Sequence, residues 1–239
     1  MSMVLVIALW AILQVLGWAL IYYPHMPEGF TYSPGLDPSK YNDFAEALYV
    51  SLVTLTTLGY GDVVAADKWV RLFSPAEALI GFSLLTAALS WFSQMYPIQA
   101  RRRTLALKLR ALEDARYASC LDELEAATVS RSLDSLAEDF IRIRIDLTQN
   151  AELYYFRESD PQISLATSVH YALELSSTAL RSSRTDVQRS GILLSSALDR
   201  LGAYMRDNFP ISGKSTKEIF EAVSTDHGYT LHSSPEKPF

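Results

Sequence analysis

Two long apolar stretches stand apart from the rest of the chain. Residues 4–23 contain no charge and only Gln14 as a strongly polar side chain. A helix rises about 1.5 Å per residue, so twenty residues cover roughly 30 Å, the thickness of a bilayer's hydrocarbon core. Trp18, Tyr22 and Tyr23 gather toward one end, as interfacial aromatics do. A cleaved signal peptide would show a basic leading region and a small-residue cleavage site; the sequence has neither, so this outer helix is expected to remain as a span. The second stretch is predicted as an inner helix over residues 70–96. From residue 72 onward its single ionisable residue is Glu77, and it closes on Trp91, Phe92 and Tyr96.

Between the spans the pattern changes twice. Residues 24–38 are rich in Pro and Gly and read as irregular and exposed. Asn42 or Asp43 can then cap a short helix over residues 43–56. Such a helix covers only about 18–21 Å, too short to cross a bilayer. Yet Ala47, Leu48, Val50, Leu52 and Val53 are too apolar for a solvated loop. Backbone that turns back at membrane depth is tolerated where protein buries it or it lines a water-filled path, so a re-entrant element is expected.

Beyond residue 100 the apolar positions repeat at helical spacing. Leu133, Leu136, Phe140, Ile143 and Leu147 form one stripe, and Leu165, Val169, Ala172, Leu173 and Leu180 a second. Val187, Leu194, Leu198, Leu201 and Met205 form a third. Thr185-Asp186-Val187-Gln188 fits a capping box, and Asp160-Pro161 and Phe209-Pro210 end helices. Residues 101–225 are therefore expected to fold as a bundle of four or five short-looped helices, with a disordered tail over residues 226–239. The fold class is all-α: two transmembrane helices and a re-entrant helix in residues 1–100, then a helical bundle.

Charge sharpens this division. Residues 1–100 carry 3 Lys or Arg and 7 Asp or Glu, leaving 18 and 20 for the remainder. The loop between the spans has only Lys40, Lys68 and Arg71, whereas Arg101-Arg102-Arg103, Lys108, Arg110 and Arg116 follow the second span. By the positive-inside rule the loop faces outward, and both termini lie in the cytoplasm of a multi-pass cell-membrane protein. A net charge of −6 excludes a basic nucleic-acid binder. A single cysteine, Cys120, excludes an internal disulfide framework.

The short helix runs into Thr54-Leu55-Thr56-Thr57-Leu58-Gly59-Tyr60-Gly61-Asp62. This resembles the potassium-channel signature T-x-x-T-x-G-Y-G-D. Trp69-Val70-Arg71-Leu72 is similar to the start of the inner helix in small prokaryotic channels with two spans and one pore loop. The resemblance covers residues 1–97. It implies an ion-binding selectivity filter made of Thr57, Leu58, Gly59, Tyr60 and Gly61, with potassium held mainly through the backbone carbonyls of Thr57, Leu58, Gly59 and Tyr60. Glycine allows this at residues 59 and 61 because it takes positive φ at little cost. Thr56, Asp62, Tyr49 and Glu77 are expected to support the filter. Gly81 falls where the family places a gating hinge, with Leu85, Leu89 and Ser93 below it along the cavity.

Three departures stand out. Leu58 replaces the usual Val or Ile; Val53 stands where some members carry a filter-bonding Glu; Tyr49 and Val50 replace a tryptophan pair. Glu77 has two readings. Ser74-Pro75-Ala76-Glu77 fits a capping box at a helix start or kink near the outer interface, or the carboxyl bonds to the back of the short helix or to the filter.

One pore loop supplies a quarter of a filter, so the resemblance implies a homotetramer in a lipid bilayer, passively conducting potassium. It implies no enzyme activity and no organic cofactor, potassium being the permeant ligand. A non-selective cation channel on the same scaffold, or a membrane-anchored adaptor with an inactive pore, remain the alternatives. No nucleotide-binding glycine loop is present in the cytoplasmic half, whose regulatory ligand, if it has one, is open. There Arg101–Arg103 reads as a topology signal, Tyr154-Tyr155-Phe156 as a bundle-end cluster, and His227 and His232 as solvated.

Overall fold

The computed structural model describes residues 3–229. The chain divides into two compact units, Met1–Met95 and Tyr96–Phe239, with the division falling inside one long helix.

In the first unit α1 spans Met3–Tyr22 and α2 spans Phe44–Leu55. Helix α1 is apolar on every face, and Val4, Leu9, Ile12 and Leu20 are all more than two-fifths exposed. A helix apolar all round belongs in a protein core or a membrane, and this one buries only Val15, Ala19 and Tyr22 among its described residues and leaves most of its apolar surface exposed. Asp43 caps α2, its carboxylate accepting from the Glu46 N–H at 3.0 Å. The cap satisfies one of the four free N–H groups at the helix start. Helix α2 buries Ala47, Val50, Ser51 and Leu55. Ala47 and Val50 join Ala19, Tyr22, Met26, Phe30 and Val70 in one apolar cluster.

The connection after α1 is more ordered than its Pro and Gly content suggests. Residues Phe30–Tyr32 form β1, which pairs antiparallel with β2, Val63–Ala65, in the register Phe30↔Ala65 and Tyr32↔Val63. Phe30 and Met26 are buried. Three-residue strands are too short to show an alternating pattern, and their stability comes from tertiary packing.

The inner helix also differs from expectation. Helix α3 runs unbroken over Lys68–Asp114, past Pro97. Asp67 caps it, accepting from the Trp69 and Val70 N–H groups at 2.8 and 3.2 Å. The capping-box reading of Ser74 to Glu77 is thereby overturned, because the helix is already under way at residue 68. Proline removes one backbone donor, but the residues after it are strong helix formers. They also bury Leu105, Ala106 and Leu109.

The second unit packs the end of α3 with α4, Ala126–Gln149, α5, Leu165–Leu180, α6, Thr185–Asn208, and α7, Thr216–Asp226. The first and third predicted stripes are buried throughout. The second is shifted: Leu180 is 40% exposed, and α5 instead buries Ser168, Val169, Ala172, Leu175, Ser176 and Ala179. The small residues allow a close helix approach, since a Cβ on Gly191 of α6 would stand 2.8 Å from the Ala179 Cβ. No capping box forms at α6; Asp186 accepts from the Val187 N–H, and Gln188 reaches back to the Ser182 carbonyl. Arg101 and Lys108 of α3 pair with Asp146 and Asp139 of α4 at 2.7 and 3.0 Å.

The ordered structure continues past residue 225. His227 is 7% exposed, not solvated, and the Tyr229 hydroxyl donates to the Glu158 carbonyl. Tyr154 is buried and stacks on Phe209 at 4.3 Å. His232 lies outside the described residues.

Candidate functional site

The end of α2 delivers the chain directly into the signature. Thr56 closes the helix with its backbone N–H and side-chain hydroxyl both donating to the Leu52 carbonyl, at 3.0 and 2.7 Å. The next N–H groups fold back onto the same helix end: Thr57 to the Thr54 carbonyl at 2.9 Å, and Leu58 to the Val53 carbonyl at 3.0 Å.

From here the backbone alternates. Thr57 has φ +58°, Gly59 +57° and Gly61 +78°, whereas Leu58 and Tyr60 keep negative φ. In an ordinary strand successive carbonyls point to opposite sides. Alternating the sign of φ cancels that alternation and turns consecutive carbonyls toward one side. The glycines adopt this conformation freely. Thr57 does not: a β-branched residue at positive φ is an outlier, and such strain persists where surrounding structure imposes it. Sequence reasoning places Thr57 in the segment but does not foresee its positive φ, because nothing in a threonine announces a left-handed backbone.

The exit of the segment is tied down from three directions. The Tyr49 hydroxyl donates to Asp62 Oδ2 at 2.5 Å. Asp62 Oδ1 accepts from the Val63 N–H at 3.0 Å. Ser33, one residue after β1, donates its N–H to the Asp62 carbonyl at 2.8 Å and its hydroxyl to the Gly61 carbonyl at 3.3 Å. Ser33 carries no recognisable signal in the sequence, since it acts only through the strand pairing that brings it there. Val53 has no polar group to offer Asp62, and among the described residues Tyr49 is the α2 side chain hydrogen-bonded to it. Leu58 and Tyr60 are 58% and 65% exposed on the single chain.

Behind α2 lies a buried polar cluster. Glu77 of α3 has no exposed surface. Its Oε2 accepts from the Tyr22 hydroxyl at 2.5 Å, and its Oε1 stands 2.5 Å from the Ser51 hydroxyl of α2. Ser51 in turn donates to the Val15 carbonyl of α1 at 3.0 Å. Of the two readings of Glu77, the contact with the back of α2 is the observed one. The partners Tyr22 and Ser51 are ordinary residues in apolar runs and give no signal in the sequence.

Gly81 lies one turn further along α3. A Cβ built there would stand 1.7 Å from the Leu55 carbonyl oxygen. Glycine is therefore required by the closeness of the two helices, and α3 passes through it unbroken. Leu85, Leu89 and Ser93 follow on one exposed stripe, a run that leaves apolar surface for a partner or for lipid.

The first unit's sequence is similar to those of known proteins. Residues 6–96 match a family described as ion channel. Two pore potassium channel c of Oryza sativa subsp. japonica is 37% identical over 98 residues, covering 41% of this chain and 21% of the relative. Two-pore potassium channel 5 of Arabidopsis thaliana is 40% identical over 45 residues, or 19% of this chain and 11% of the relative. Protein LctB of Bacillus caldotenax is 34% identical over 83 residues, or 32% of this chain and 60% of the relative. The matched region thus spans about a fifth of the rice relative's length. No solved structure matches.

Proposed function

We propose that the chain, whose residues 6–96 match a family described as ion channel and are similar to parts of plant potassium channels, is one subunit of a homotetrameric, potassium-selective channel. The observation that carries this reading is the alternation of positive φ at Thr57, Gly59 and Gly61 directly after α2. Carbonyl rings that replace an ion's hydration shell need four such segments around one axis, and each chain brings one.

The remaining geometry serves that arrangement. Helix α2 brings the partly negative end of its dipole to the start of the segment, which favours a cation there. Tyr49, Asp62 and Ser33 hold the outer end, and Thr57 adds a hydroxyl at the inner end. Leu58 and Tyr60, exposed on one chain, are the side chains that neighbouring subunits would cover. The chain is a channel and not an enzyme; passage is passive, with potassium as cargo. The arginines and lysine from residue 101 onward favour a cytoplasmic second unit and a cytoplasmic N-terminus.

Purified full-length protein in liposomes tests the assembly half of this reading. Cross-linking in the bilayer is expected to end at a four-subunit species, and potassium flux should be confined to that species. A dimer or monomer that conducts would contradict it.

A further inference from the structure

The cluster behind α2 has a proton count that decides its charge. Three oxygen contacts link it: Tyr22 hydroxyl to Glu77 Oε2 at 2.5 Å, Ser51 hydroxyl to Glu77 Oε1 at 2.5 Å, and Ser51 hydroxyl to the Val15 carbonyl at 3.0 Å. The two hydroxyls bring two hydrogens. A backbone carbonyl and an ionised carboxylate bring none and only accept. With Glu77 ionised, three contacts share two hydrogens, and Ser51 is asked to donate to two acceptors at once.

One added proton removes the conflict. Tyr22 donates to Glu77 Oε2, Glu77 Oε1–H donates to Ser51, and Ser51 donates to Val15. The chain of bonds then runs from α1 to α3, from α3 to α2, and from α2 back to α1. Every donor has an acceptor and every acceptor a donor.

The surroundings favour the same state. Glu77 and Ser51 have no exposed surface, and Tyr22 has 1%. The groups facing the carboxyl are Tyr22 from α1 and Ser51 from α2, both neutral. No ion pair among the described residues includes Glu77. A carboxylate buried without a cation is costly, and more so inside a bilayer.

We infer that Glu77 is held as the neutral carboxylic acid and acts as the positioning residue that sets α2, and through it the filter, against α1 and α3. The spacing supports the second half. Ser51 meets Glu77, and Leu55, four residues on in α2, meets Gly81, four residues on in α3. Positions four apart share a helix face, so the two contacts fix one register between the helices. Residue 55 is two positions before Thr57, so a slip there reaches the filter.

The protonation half stands by itself; the filter half rests on the channel reading. Infrared difference spectra of full-length protein in lipid at neutral pH, wild type minus Glu77→Gln, should show a carboxylic-acid C=O band that shifts in heavy water. Only a carboxylate band in that difference would overturn the assignment. Ser51→Ala should shift the acid band upward, because the proton loses its acceptor; an unmoved band would equally overturn it.

Glu77→Gln can keep the pattern, its amide donating to Ser51 and accepting from Tyr22. Its potassium-over-sodium flux ratio should stay within about twofold of wild type, whereas Glu77→Leu should lower it about tenfold by orphaning the buried Tyr22 hydroxyl and removing the donor to Ser51. A Gln variant as damaged as the Leu variant would overturn the positioning role. If wild type itself fails to discriminate the two ions, the channel reading fails while the infrared result still decides the protonation.

Discussion

The carbonyl oxygen of Leu55 occupies the place that a side chain on residue 81 would need. A Cβ on Gly81 would lie 1.7 Å from that oxygen and 2.7 Å from its carbon, both backbone atoms that cannot rotate aside. The requirement for glycine is thus steric and comes from α2, whatever bending α3 undergoes when the pore opens. The two roles differ in sign. If glycine served only to loosen the helix, Gly81→Ala would raise stability by roughly 0.8–1 kcal/mol per chain from helix propensity. The contact instead implies overpacking of at least about 1–3 kcal/mol. Thermal melts of the reconstituted variant should fall below wild type, with potassium flux reduced; a raised melting temperature would restore the hinge.

Tyr49 and Asp62 form the other tie to the segment that follows α2. A hydrogen bond to a charged group contributes roughly 1.5–3 kcal/mol, about twice a neutral one. Tyr49→Phe keeps the ring and deletes only the hydroxyl that meets Asp62 at 2.5 Å. The variant should assemble normally but lose selectivity or sustained flux. Ser33→Ala should be milder, because its N–H still donates to the Asp62 carbonyl. Potassium and sodium uptake measured side by side distinguishes them, and a Ser33 variant worse than the Tyr49 variant would reverse the assignment.

His227 makes the second unit sensitive to acid. Burial pushes its pKa down from the ordinary 6.5, Arg102 and Arg157 push it the same way, and Asp226 opposes them. Its Nε2 has no acceptor among the described residues. The unfolded chain takes up a proton near the ordinary value while the folded chain still resists. Stability is therefore fully present above about pH 6.5 and falls as pH drops from there toward the lowered folded value. Melts of full-length protein from neutral pH to about pH 5 should show this loss, and His227→Gln should flatten it. An equal slope in the variant would exclude the imidazole as its source.

What the sequence shows and what it hides divide along physical lines. The two spans, the capped short helix and the glycines of the signature are legible because each is local: run length, a cap residue, a residue type with one conformational use. The stripes of α4 and α6 are legible for the same reason. The α5 stripe keeps Val169 and Ala172 but wrongly includes the exposed Leu180, because Ala179 is buried against Gly191 of α6 and Ser176 carries no apolar signal. Strands β1 and β2, the Ser33 contacts, and the Tyr22–Glu77–Ser51 cluster join residues 26 to 55 positions apart. No local pattern encodes such pairs. Pro97 misleads in the opposite direction, since packing and propensity on both sides carry α3 through it.

Thr57 offers a separate check on the backbone account. Its φ of +58° is unfavourable for a β-branched residue. Thr57→Gly should relieve that strain while removing the hydroxyl, and Thr57→Ala should remove the hydroxyl and keep part of the strain. The Gly variant should therefore be at least as stable as the Ala variant in melts of the assembled protein. Both should conduct, since the backbone carbonyls stay in place. Loss of all flux in both would show that the hydroxyl is indispensable.

The reversal potential of the reconstituted channel, with potassium on one side and sodium on the other, tests the central claim most directly when wild type and Gly59→Ala are compared. Among the described residues of the single chain, nothing lies within 4 Å of a Cβ built on residue 59. Its requirement for glycine is therefore conformational: an L-residue at φ +57° costs roughly 1–2 kcal/mol, and four chains would bear it together. Wild type should reverse close to the potassium equilibrium potential, and Gly59→Ala should lose current or move toward zero. A wild-type reversal near zero, or a Gly59→Ala channel as selective as wild type, would contradict the account.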